Sequence, residues 1–145
     1  MPAFSGSFSG RITTQTSMSL TDQPNHDFGI AEVRGTQKSA DPRWNNSSLI
    51  YWGATDVLNG QGSQRGYYCN THPDGDTDFG AFEGKVTAKG NELSVEGTWK
   101  ITGGTGKLSG VSGGGSFKTR MTSPTALECT WDGAYELGAA KAQAG

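Results

Sequence analysis

From Phe4 to Leu20 the even positions read Phe4, Gly6, Phe8, Gly10, Ile12, Thr14, Thr16, Met18 and Leu20, while serine, threonine, Gln15 and Arg11 fill the odd ones. A period of two sends alternate side chains to opposite faces of a strand, so this stretch predicts one strand with a buried and a wet face. Its 17 residues would run about 56 Å at ~3.3 Å each, too long for a straight strand in a small domain. Gly6 and Gly10 are where a bend is expected.

The same alternation predicts further strands at 28–38, 48–58, 66–72, 78–86, 92–101, 107–121 and 126–137. Pro73-Asp74-Gly75-Asp76 supplies a turn between the fourth and fifth. Leu93, Val95, Trp99 and Ile101 share one face of the sixth; Leu127, Cys129, Trp131, Tyr135 and Leu137 share one face of the last. About eight short strands with turn signals between them predict an all-β fold, an antiparallel up-and-down β-barrel with a central cavity. The expected organisation is one barrel domain over 1–137 and a C-terminal tail, GAAKAQAG, over 138–145. The third strand breaks the pattern: Leu49, Tyr51 and Val57 oppose Ile50, Trp52 and Leu58, so both faces are apolar. A strand bounded by water needs only one apolar face, so a loop or a second subunit is expected to cover the other. A homodimer or homotrimer is the expectation.

Composition thins the core. Leu, Ile, Val and Phe are only 22 of 145 residues and glycine alone is 23. Fourteen aromatic residues make up apolar area, since each buries about 150–250 Å². The net charge of −2 gives neither the repulsion of a disordered chain nor the footprint of a nucleic-acid binder. No apolar run is long enough to span a membrane. MPAFSGSFSGRITT has no basic segment leading into an apolar run, and a cytoplasmic location is expected. Cys69 and Cys129 are read as two buried thiols, with a single bridge as the alternative.

ITGGTGKLSGVSGGGSF, residues 101–117, invites a phosphate-loop reading but fails it: Ile101 stands where the first glycine belongs and Leu108 follows Lys107. A tight turn followed by a bendable strand fits better. Taken with DGDTDFGAFEGKV at 74–86, the segment resembles the allene oxide cyclase/dirigent-type barrel superfamily over roughly residues 66–137. The resemblance implies an eight-stranded antiparallel barrel with an apolar cavity, in a superfamily holding both cyclases and dirigent proteins. The shared motif is a structural turn and assigns no catalytic residue here.

Asp74, Asp76 and Asp78 match positions 1, 3 and 5 of a calcium loop, but Phe79 and Lys85 occupy positions 6 and 12. A solvated hairpin turn is expected, and no metal or cofactor. His72 shares a strand face with Tyr68 and Asn70; it either points to water beside Pro73 or serves with Tyr68 as an acid or base at the barrel mouth. Glu32 and Arg34 are the first candidates for chemistry, a carboxylate and guanidinium that would orient a ligand if they faced inward. Ala31 and Val33 on the opposite face are apolar too, so an exterior ion pair is equally compatible with the pattern. Tyr51, Asn70, Trp99, Trp131 and Tyr135 are the expected ligand wall. Three functions fit: a cofactor-independent cyclase, isomerase or lyase acting on a small apolar or aromatic molecule, a lipocalin-like carrier for such a ligand, or a filled barrel with a structural role.

Overall fold

The computed structural model describes residues 3–89 and 92–138. Its strands are β1 (Ala3–Leu20), β2 (His26–Ser39), β3 (Ser48–Leu58), β4 (Gln61–Thr71), β5 (Thr77–Lys89), β6 (Glu92–Gly104), β7 (Ser112–Met121) and β8 (Ala126–Glu136). Each pairs antiparallel with its neighbours in sequence, and β1 with β8 closes the barrel. Closure leaves no free sheet edge in a chain whose many serines and glycines protect edges poorly.

Inward positions follow the alternation on most strands. Phe8, Val33, Leu49, Tyr68 and Leu127 pack in the middle of the barrel. The long N-terminal strand departs from expectation. Its register slips between Ile12 and Thr14, so Thr13 is a bulge, and one extra residue exchanges the two faces. Beyond it the even residues point outward, and Met18 is 63% exposed. The strand therefore changes face at Thr13.

One end of the barrel, here the upper, carries loops 40–47, 72–76 and 105–111. Residues 107–111, expected as strand, instead belong to a single 3-10 turn at Gly106–Leu108 and the bend after it. Lys107 N–H donates to Asp76 Oδ2 at 3.1 Å. Gly106 has φ +61°, and a Cβ there would collide with the Asp76 carboxylate, so the glycine is required by both backbone and space. The turn drives Leu108 into a fully buried position beside Phe4, Trp44, Ile101 and Val111. Burying each such side chain contributes about 1.5–3 kcal/mol, and together they stopper the upper end. At the lower end, loop residues 21–25 and 122–125 contribute no buried side chain.

The thiols of Cys69 and Cys129 are free and half-buried. They lie on the outer and inner faces respectively, since Cys69 pairs with Phe79 on the outside while Cys129 packs into the core. The tail expected over 138–145 lies outside the described residues except for Gly138. No helix among the described residues is long and apolar enough to cross a membrane.

Candidate functional site

A hollow of about 90 Å³ lies beneath the stopper. A single water needs about 10–15 Å³, so there is room for a small organic group. Tyr51, Phe82, Trp99, Phe117 and Trp131 supply much of its wall, and Gln37, Tyr68, Asn70 and Asp78 form a polar patch.

The hydrogen bonds of that patch have a fixed direction. An indole N–H can only donate, so Trp131 Nε1, 2.8 Å from Gln37, donates to its Oε1. The Gln37 amide must then present its NH₂ to Asn70 Oδ1, at 3.0 Å. Asn70 in turn presents its NH₂ to Asp78 Oδ2, at 3.3 Å. From the other side His72 Nε2 lies 2.6 Å from Asp78 Oδ1. His72 Nδ1 lies 2.8 Å from the Arg43 carbonyl, which only accepts, so this nitrogen carries hydrogen. Both ring nitrogens thus face acceptors, and one further proton is held between His72 and Asp78. Burial works against a charged His72, but the Asp78 hydrogen bond, the Arg43 carbonyl and the charges of Asp78 and Asp74 outweigh it and raise its pKa.

The β4–β5 hairpin makes this pairing possible. Asn70 pairs with Asp78 and Tyr68 with Gly80, which brings Tyr68, Asn70 and Asp78 to the same inner face. A Cβ on Gly80 would stand 2.8 Å from the Tyr68 hydroxyl oxygen, so the missing side chain makes room for that hydroxyl. Among the described residues the Tyr68 hydroxyl has no hydrogen-bond partner although it is buried. Burial first, then the nearby Asp78 charge, pushes its pKa well above the usual tyrosine value, so it stays a neutral donor.

No protein-family model and no curated protein sequence matches the chain. Among solved structures, the pterocarpan synthase dirigent protein is similar at a TM-score of 0.54, with 94% of this chain and 86% of that chain covered and 11% of residues identical. The chain folds as a dirigent-type barrel. At this identity the likeness speaks for the fold and not for a reaction.

Within this dirigent-type barrel the expected wall residues Tyr51, Asn70, Trp99 and Trp131 line the hollow, and so does Tyr68. Tyr135 does not: it sits in the upper stopper, 4.6 Å from Phe4 between ring centres, with its hydroxyl donating to Asp41 Oδ2. His72 is neither at the mouth nor in water; it is buried behind Asp78. Glu32 and Arg34 are displaced furthest from expectation. They pair at 3.2 Å on the outer wall, where Trp52 Nε1 and the bulged Thr13 hydroxyl also donate to Glu32. Val33, buried at 2% exposure, takes the inward place between them, so Glu32 is not a proton-transfer group in the hollow. Asp78 and Gln37 were the residues missed. Asp78 is 1% exposed, which overturns its reading as part of a solvated turn; its place opposite Asn70, across a recognisable hairpin, was the signal that could have found it.

Proposed function

We propose that this barrel binds a small, largely apolar organic molecule in its hollow and that Asp78 moves a proton on it, as a cofactor-independent isomerase or cyclase would. The carrying observation is a buried carboxyl, held by His72 and Asn70, opening onto an aromatic-walled cavity. A carboxyl and an imidazole sharing a proton away from water suit acid and base work on a bound ligand. The lipocalin-like alternative draws on the same wall, which is mostly ring and aliphatic surface. Binding is tested with toluene, indene and 1-indanol, read by tryptophan fluorescence and thermal shift. At least one is expected to bind the native protein and to be lost when Cys129→Phe fills the hollow. Equal binding by both proteins would place the ligand elsewhere.

We also propose that a second copy covers the outer face of β1–β5. Met18, Phe28, Ile30, Trp52, Tyr67 and Phe79 are exposed there. Ile50, paired between Arg34 and Cys69, lies on the same face, so these side chains make an apolar patch interrupted by Glu32, Arg34 and Asp56. Monomers seldom carry such a patch beyond a few hundred Å². Charges of both signs, Glu32 with Arg34 and Arg65 opposite Glu83, lie on the same face, and each can meet its opposite across a two-fold contact. Sedimentation at tens of micromolar is expected to give a dimer or trimer, and Trp52→Glu a monomer. A native monomer at that concentration would remove this proposal.

A further inference from the structure

We infer that the ligand is an enolisable carbonyl compound, whose oxygen accepts the Tyr68 hydrogen bond while Asp78 removes the proton from the adjoining carbon. The inference rests on the reading above and adds the substrate class and a second catalytic residue.

Asp78 already receives donors from His72 and Asn70. Gln37 and Asn70 are satisfied within the chain from Trp131. Tyr68 is left, its hydroxyl buried and without a partner among the described residues, with only 9% of its surface exposed. Leaving such a donor unmatched is unfavourable, and the hollow is where a matching acceptor can enter. A carbonyl oxygen meets that demand and brings no donor of its own to be stranded against the apolar wall.

Position then selects the chemistry. Tyr68 and Asp78 are diagonal neighbours on facing strands, since Tyr68 pairs with Gly80 and Asn70 with Asp78. Side chains in that relation lie about 7–8 Å apart, Cβ to Cβ somewhat less, and both line the hollow, so one bound O=C–C–H unit can meet both. In the step, an Asp78 oxygen takes the α-proton. The C–H electron pair becomes the carbon–carbon double bond, and the carbonyl π pair moves onto oxygen as the enolate. The neutral, buried Tyr68 O–H donates to that developing charge. Protonated Asp78 returns the proton to the same carbon, or to the γ-carbon of an unsaturated ketone, which gives the isomer. Atoms and electrons balance with no other reactant. His72 acts through Asp78 and is a positioning residue.

Hydrogen exchange reads this step without knowledge of the natural substrate. Cyclohexanone, acetophenone and 1-indanone are incubated in deuterium oxide with the native protein, Asp78→Asn and Tyr68→Phe, and α-deuterium is followed by NMR; binding is followed in parallel by tryptophan fluorescence. The native protein is expected to accelerate exchange of a ketone that it binds. Asp78→Asn should bring the rate to that of buffer, and Tyr68→Phe should lower it at least about tenfold. Because the Tyr68 hydroxyl has no partner to lose, Tyr68→Phe should melt no lower than the native protein, so its lost exchange is not unfolding. Binding without accelerated exchange, or exchange undiminished in Asp78→Asn, overturns the inference and leaves the binding proposal standing. So does failure of every ketone to bind while toluene, indene or 1-indanol does. If none of the six compounds binds, both fall.

Discussion

His26 and His72 make the same kind of contact in two different places. His26 spans Asp22 at 2.8 Å and Asp56 at 2.7 Å, with both carboxylates half in water. His72 meets Asp78 at 2.6 Å with both side chains 1% exposed. Outside, water can replace either partner, so the cluster ties the β1–β2 loop to β3 at little energetic stake. Inside, nothing replaces a lost partner, and each group depends on the other. Burial, more than residue type, separates a surface tie from a site able to do chemistry.

Removing the inner carboxylate should have the largest effect. Asp78→Ala removes the buried partner of both the His72 ring and the Asn70 amide, and breaking a comparable buried pair costs about 3–5 kcal/mol. Urea unfolding measures it, and a loss below about 1 kcal/mol would mean that the inner pair behaves like a surface one. Trp131→Phe should come next. It keeps most of the ring packing but deprives Gln37 Oε1 of its donor, at a cost of about 1–3 kcal/mol for an unmatched buried acceptor. If the variant unfolds at the native urea concentration, the directed chain from Trp131 to Asp78 does not contribute to stability.

How far the sequence could be read follows the same divide. Alternation placed Leu93, Val95, Trp99 and Ile101, and likewise Leu127, Cys129 and Trp131, on inner faces, because one face of those strands is clearly apolar. It could not orient β2, where Phe28 and Ile30 on one face compete with Ala31 and Val33 on the other. Sequence pattern measures apolarity, and the outer wall there is apolar too. The Thr13 bulge was hidden for a similar reason: Thr14, Gln15, Thr16 and Ser17 suit either face, so a one-residue slip leaves no trace in the pattern. Asp78 was obscured by company, since Asp74 and Asp76 before it do belong to a turn.

Acidity should separate the two histidines more gently. Both have raised pKa values. For His26 the hydrogen bonds that it donates to Asp22 and then Asp56 are the leading causes. For His72 burial is the largest influence and opposes the rise, and the Asp78 bond with the other favourable contacts exceeds it. A raised folded pKa means stability fully present below the ordinary histidine range and lost as pH rises through the folded value. Unfolding free energy should therefore decline as pH rises from the ordinary histidine value of 6.5 through the raised folded values. His26→Asn should remove part of that decline and leave the part due to His72. A native protein whose stability climbs steadily over that interval would contradict both assignments.

The smallest effect is expected at Glu32, the carboxylate that the residue pattern alone would have favoured for chemistry. Its carboxyl is held below the usual glutamate range by the Trp52 N–H first, then by the Thr13 hydroxyl and Arg34. A depressed pKa contributes stability above the ordinary glutamate value and loses it as pH falls through the folded one. Glu32→Gln should therefore differ slightly from the native protein in thermal melts at neutral pH and converge with it in acid. The variant keeps one acceptor oxygen, which can serve the Trp52 N–H while its NH₂ faces the Thr13 hydroxyl, and it gives up the Arg34 contact and the charge, which at the water-reached outer wall is partly screened. Ligand binding and ketone exchange should be unchanged, because Val33 and the barrel wall stand between Glu32 and the hollow. Should Glu32→Gln abolish exchange as completely as Asp78→Asn, the separation of inner chemistry from outer stability would be wrong, and the reacting group would have to be sought on the outer face.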